Sequence, residues 1–273
     1  MTAIRFDPAN LADVLPPGGL TLVSSCSAES GILADAVMAA GDDLGAMTFS
    51  GVFVPGLNRR TWLPNPDCSV LTFFMTPELK AAGEQVEFLP ICYQDILSLY
   101  RHRQPNAALF MCSPPDENGN CSFGSEVAFI ADLWRDIPVR IAHINPLMPH
   151  TPGDNGIPFD EITAYFESSQ PLLESLGGAP DPVAEAIAAY IVPHICNGAT
   201  LQTGLGKIPD AVMRGLMVAQ TGGFAPQTAA TDLMRYLAAE RTLGIPHAIF
   251  VWLALSIFMV ILLRKTTFGR SIY

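Results

Sequence analysis

Five short apolar runs bounded by Pro, Asp, Asn or Gly, with helix-patterned segments between them, constrain this 273-residue chain more than any other feature. "GLTLVSS" (19–25), "SVLTFFM" (69–75), "VEFLPI" (86–91), "AALFMCS" (107–113) and "VRIAHINP" (139–146) have the β-branched and aromatic content of buried strands. "ESGILADAVMAAGDD", "TPELKAAG", "YQDILSLYRHR" and "PDPVAEAIAAYIVPHI" carry apolar residues three and four apart. A recurring order of strand, helix, strand predicts an α/β domain, an open and mostly parallel sheet flanked by helices. The loop "SSCSAES" after the first strand is small and polar. Its N–H groups and the helix behind it could receive an anion, although a plain helix cap is the commoner explanation for Ser and Glu there.

Composition narrows the function classes. A chain that is 49% hydrophobic can bury a sizeable core. A net charge of −11 with no Lys/Arg cluster argues against a nucleic-acid partner. Cys26, Cys68, Cys92, Cys112, Cys121 and Cys196 form no C-x-x-C pair, and they read as small core hydrophobes in a reducing compartment. His102, His143, His150 and His194 match no zinc spacing, so no metal is expected. Charge also divides the chain: residues 1–215 carry −14 and residues 216–273 carry +3.

Two turn-rich loops follow the later strands, "SPPDENGNCSFGS" (113–125) and "NPLMPHTPGDNGIPFD" (145–160). In an open α/β sheet such loops, at the carboxyl ends of strands, build the ligand crevice. Taken with "SSQPLLE" and "IVPHICNGATLQTGLGKIPDAVMRGL", they carry the patterns S-P-P-D-x-x-G, N-x-x-M-P-x-T-x-G and L-Q-x-G-x-G-x-I-P. In this order they resemble the acetyl-CoA hydrolase/transferase family, the group of the 4-hydroxybutyrate and propionyl CoA-transferases, over residues 15–216. His150 departs from the family's usual Arg, which replaces a forked, permanently charged donor with a titratable one.

The resemblance implies acyl-CoA chemistry, either CoA transfer between a short acyl-CoA and a carboxylic acid such as acetate or thioester hydrolysis. Coenzyme A is then a substrate, and no further cofactor is implied. A glutamate attacks the thioester, and backbone donors hold the oxyanion. The resemblance assigns substrate and CoA contacts to Gln202, Gly204, Leu205 and Gly206 and to Asn145, Met148, Thr151 and Gly153. It also implies a glutamate in a G-x-H-x-E-M stretch soon after "IPDAV". Here "MVAQTGGFAPQTAATDL" follows instead. Glu240 is the one glutamate after Leu216, and its surroundings do not match, so no catalytic residue is assigned.

The last segment reads differently. "AIFVWLALSIFMVILL" (248–263) has one polar residue, Ser256, and the run extends back to Leu243. Its length suits a membrane-spanning helix, and Arg264, Lys265 and Arg270 after it place the C-terminus on the cytoplasmic side. The tail resembles a fragment of the sugar-type ABC transporter permeases. The expected organisation is a CoA-transferase-like domain over 1–216, a junction over 217–242 and one hydrophobic helix over 243–273. This is a cytoplasmic domain anchored to the inner face of a membrane, compatible with a homo-oligomer. A membrane-anchored CoA-binding module and a nonfunctional gene fusion are the alternative readings.

Overall fold

Each expected apolar run contains a strand: β2 (Leu20–Val23), β4 (Ser69–Thr72), β5 (Val86–Phe88), β6 (Ala107–Cys112) and β8 (Val139–Ile144). Three further strands join them, β1 (Ile4–Arg5), β3 (Thr48–Gly51) and β10 (Ala164–Glu167), in the order β1-β10-β8-β6-β2-β3-β4-β5. All seven pairings in this sheet are parallel. The computed structural model describes residues 3–151, 153, 156–174, 179–196, 199–220, 241–242 and 245–246. They belong to two compact units, Met1–Ser175 and Leu176–Tyr273.

A parallel sheet must be covered on both faces, and this one divides its side chains accordingly. Along β6, Ala107 and Leu109 enter one core while Ala108, Phe110 and Cys112 enter the other, the period-two alternation of a pleated strand. Helix α1 (Gly31–Ala40) supplies Leu33 and Val37 to the first core, beside Phe49, Trp62 and Val70. On the opposite face α3 (Tyr93–Arg103) and α4 (Ala128–Leu133) supply Ile96, Tyr100, Ile130 and Leu133, against Leu71 and Phe110.

The helix boundaries follow their caps. Ser30 accepts a hydrogen bond from Leu33 N at 3.1 Å to start α1. Its first turn contains no acidic residue; Glu29 precedes the cap and is buried. Thr76 caps the short α2 (Pro77–Ala81), where a proline fills a first-turn position that needs no N–H. β3 went unrecognised because "TFSG" has no apolar run, and its last residue shows why. A Cβ on Gly51 would stand 2.8 Å from the Val23 carbonyl oxygen, so only glycine lets β3 lie this close to β2.

In the second unit, α5 (Pro182–Ile191) and α6 (Lys207–Gln220) pack through Ala184, Ala188 and Ala211. Asp181 caps α5 and pairs with Lys207 at 3.1 Å, and Glu185 pairs with Arg214 at 2.7 Å. Helix α6 runs unbroken through Gly215–Met217, the stretch where charge and composition change.

Further on, β11 (Arg241–Thr242) pairs antiparallel with β12 (Ile245–Pro246), so the start of the expected 243–273 helix is extended here. Proline disfavours helical geometry for the residue before it, which accounts for Ile245. The apolar run 248–263 and its basic flank lie outside the described residues. Among the described residues no helix is long and apolar enough to cross a membrane.

Candidate functional site

The chain leaves β2 outward through β3, β4 and β5 and then returns to place β6 on the other side of β2. The loops after β2 and β6 therefore diverge, and a crevice opens between them at the carboxyl ends of the strands. It is lined by Ser24 and Ser25 after β2, Gly51 at the end of β3 and Val52 after it, Phe110 and Met111 of β6, and Phe123, Glu126 and Phe129 from the β6–α4 loop and α4. The free space inside it is small, about 20 Å³, room for about one water.

One carboxyl group dominates the crevice. Glu126 accepts hydrogen bonds from Ser25 N at 2.5 Å and Ser25 Oγ at 2.7 Å, a contact across 101 residues of chain. Ser25 Oγ in turn accepts from Val52 N at 2.8 Å, so β2, β3 and the α4 loop are tied at one hydroxyl. Burial pushes the Glu126 carboxyl up to about 7, although Ser25 favours the ionised form, and the neighbouring charge of Glu29 adds to the rise. Glu29 itself is raised by burial, against the pull of Asn58 and Arg60. Its Oε2 accepts from Asn58 Nδ2 at 3.1 Å, while Oε1 faces Arg60 Nη1 at 3.5 Å without a hydrogen bond.

Cys26 stands on the rim with a left-handed backbone, φ 45°, and Ala128 across the crevice has φ 35°. Non-glycine residues pay for this conformation with strain, which concentrates in functional loops. Burial, then the charge of Glu126, pushes the Cys26 thiol up to about 12, so it stays protonated and is no nucleophile. Cys68, Cys112 and Cys121 are buried as expected, whereas Cys92 and Cys196 are exposed.

The two turn-rich loops do meet. β7 (Asn120–Cys121) pairs antiparallel with β9 (Ile157–Pro158), and Thr151 N donates to Ser122 Oγ at 3.3 Å. Gly124, at φ 64°, has no room for a Cβ beside Met148 Sδ. Met148 is buried against Ala28 and Met111. Asn145 is buried too: it accepts from Leu147 N at 3.0 Å and Gln170 N at 3.2 Å, and donates to the Gln170 carbonyl at 2.7 Å. Its polar groups thus hold the loop. Gly153 is exposed, with φ 86°.

Gln202, Gly204, Leu205 and Gly206 lie in the second unit, exposed, immediately before α6. Nothing lies within 4 Å of a Cβ built on Gly204, and Gly206 has φ 133°. Among the described residues no group of three or more His, Cys, Asp or Glu side chains could hold a metal ion. His143 serves the fold instead. Its Nε2 donates to the Ser168 carbonyl at 3.0 Å, so Nδ1 accepts from Ser30 Oγ at 2.8 Å, and burial holds its pKa down. His150 faces Asp116 at 3.6 Å.

No family model matches the chain. The 4-hydroxybutyrate coenzyme A transferase of Clostridium kluyveri is 31% identical over 157 residues, 57% of this chain and 37% of that protein. The succinyl-CoA:acetate/propanoyl-CoA:succinate CoA transferase of Fasciola hepatica is 35% identical over 135 residues, 48% of this chain and 28% of that protein. The chain thus spans about a third of the length of these curated relatives. In fold it resembles the 4-hydroxybutyrate CoA-transferase of Porphyromonas gingivalis, with a TM-score of 0.61 at 24% identity over 79% of this chain and 51% of that one. Nothing in these comparisons supports the resemblance of residues 217–273 to a permease. In sequence over about half of its own length, and in fold over 79% of it, the chain is similar to CoA-transferases.

Proposed function

We propose that this chain is an acyl-CoA module of the CoA-transferase type, handling a short acyl group and its carboxylic-acid acceptor with coenzyme A as a substrate. The observation that carries this reading is the sequence similarity to CoA-transferases. The crevice at the switch point of a parallel sheet, where such folds place their ligands, supports it. In the same reading the exposed turn Gln202–Gly206 offers a main chain free of Cβ atoms at two positions, open to a thioester or its developing oxyanion.

A thioester exchanged by covalent catalysis needs an anionic nucleophile at the carbonyl carbon. The family's glutamate motif has no match after "IPDAV", and Asp181, the carboxylate paired with Lys207 beside the glycine turn, also caps α5. We therefore expect this polypeptide by itself to bind CoA and to turn over no acyl-CoA. Calorimetry with CoA and an assay with acetyl-CoA plus a short carboxylic acid check both halves. Absence of any CoA heat overturns the module reading; turnover that is lost in Glu240→Gln overturns the expectation of inactivity.

A further inference from the structure

Helices α3 and α4 lie side by side and run in the same direction. Their amino ends meet where the Tyr93 and Phe129 rings stack at 5.8 Å, and their far ends share a groove lined by Tyr100, Arg101, Pro105, Leu133, Asp136 and Ile137. The seam between them is unfinished at both ends. At the first, Tyr93 is 57% exposed, beside Phe74 at 38% and Val127 at 40%. At the second, the groove holds about 640 Å³ of free space, ample for an aromatic side chain. Leu133, Ile137 and Tyr100 give the groove a buried apolar lining, and Asp136, exposed at its side, has no ion pair among the described residues. The two ends are complementary in chemistry: a tyrosine ring is apolar, and its hydroxyl needs an acceptor once it leaves water.

We propose that the α3–α4 seam is the docking surface for a second copy of this chain, with the exposed edge of each Tyr93 seated in the other copy's groove and its hydroxyl donating to Asp136. Within one copy about 12 Å of helix, the eight residues from Tyr93 to Arg101, separates the tyrosine from the groove. A two-fold axis normal to the seam near Leu97 brings each tyrosine to the groove of the other copy. Such an interface uses the same patch on both copies and must therefore be complementary to itself, as this seam is. Charge favours the same occupant. Residues 1–215 carry −14, a field that draws in basic proteins, yet the groove holds one arginine against one aspartate, and Tyr93, Leu97 and Phe129 are neutral. A basic partner finds no excess charge to pair with there, whereas like-charged copies need a neutral face to meet. The inference goes beyond the CoA-transferase reading and takes nothing from it.

The test is sedimentation of the full chain in a mild nonionic detergent, from about 1 to 100 µM, where a dimer of moderate affinity assembles. Tyr93→Asp removes the ring and Arg101→Trp fills the groove; each is expected to raise the dissociation constant at least about tenfold. An equimolar mixture of the two variants is expected to associate more strongly than either alone, because one intact tyrosine then meets one intact groove. Circular dichroism checks that both variants fold. Should Arg101→Trp fail to fold, the natural chain gives a second readout through Cys92, exposed beside Tyr93. Its alkylation, followed by mass spectrometry, must slow as concentration rises, while that of the exposed Cys196 in the second unit stays constant. A chain that stays monomeric, a dimer that neither variant weakens, or a mixture no stronger than its components overturns the proposal. In a monomer, fast alkylation of Cys92 leaves the seam to a foreign protein and slow alkylation leaves it to the chain's own residues, and both results remove the second copy.

Discussion

Among the described residues, the two units bury their apolar side chains to very different extents. In the first, two cores of large side chains fill both faces of an eight-stranded sheet, with Phe49, Phe53 and Phe110 fully buried. In the second, the described helices meet through three alanines, while Val183, Tyr190, Leu205 and Met217 remain more than half exposed. Buried area sets stability, so the sheet should carry most of the folding free energy and the helix pair should depend on caps and surface ion pairs. The candidate site reflects the same contrast: the crevice is shaped by packed elements, the Gln202–Gly206 turn by exposed main chain.

The widest separation should come from the core. Phe49→Ala, which empties a fully buried site between β2 and β4, is expected to cost about 3–5 kcal/mol in denaturant unfolding. A cost below about 1 kcal/mol would show that the sheet is less tightly packed than its burial indicates.

Next in size is the cost of the enclosed carboxyl. Because the folded state raises Glu126 from its ordinary 4.5 to about 7, the native form holds the proton more tightly than the unfolded chain. Stability is therefore greatest below about pH 4.5 as far as this group is concerned, and falls through that window to about pH 7 by on the order of 1–3 kcal/mol. Glu126→Gln should remove that component from the pH profile of unfolding. An unchanged profile would mean that the group is better solvated than its surroundings imply.

Ser30→Ala removes the α1 cap and the donor to His143 together, with an expected loss of about 2 kcal/mol. The second unit offers the smaller effects. Asp181→Ala deletes the α5 cap and should cost about 1 kcal/mol, read as loss of helical signal on heating. Arg214→Met breaks an ion pair whose side chains are both about 40% exposed and should cost no more than about 0.5 kcal/mol. If Arg214→Met proved costlier than Asp181→Ala, the ion pairs and not the caps would be holding this helix pair.

Much of the sheet was legible because its signals are local. "AALFMC" and "VRIAHI" can hardly be anything but buried strands, and "YQDILSLYRHR" coincides with α3 from first residue to last. β3 and β10 were missed because "TFSG" and "AYFE" gain strand character only from their neighbours. Of the crevice, the polar loop "SSCSAES" could by composition receive an anion, and its Ser25 does bind a carboxylate, one belonging to the chain itself. No local signal marks Glu126. In "FGSEVAF" it is an ordinary loop acid, and its chemistry comes from Ser25, which lies far away in sequence.

The sequence by itself determined the α/β class, the parallel strands and the similarity to CoA-transferases, because periodicity and motif spacing are written along the chain. Tertiary structure decided the order β6-β2-β3, and with it which loops face each other across the switch point. It also decided that a glutamate with no cationic partner would sit in a phenylalanine-walled crevice, its carboxyl raised to about 7. Desolvation is a property of everything packed around a group, and no stretch of residues around Glu126 encodes it.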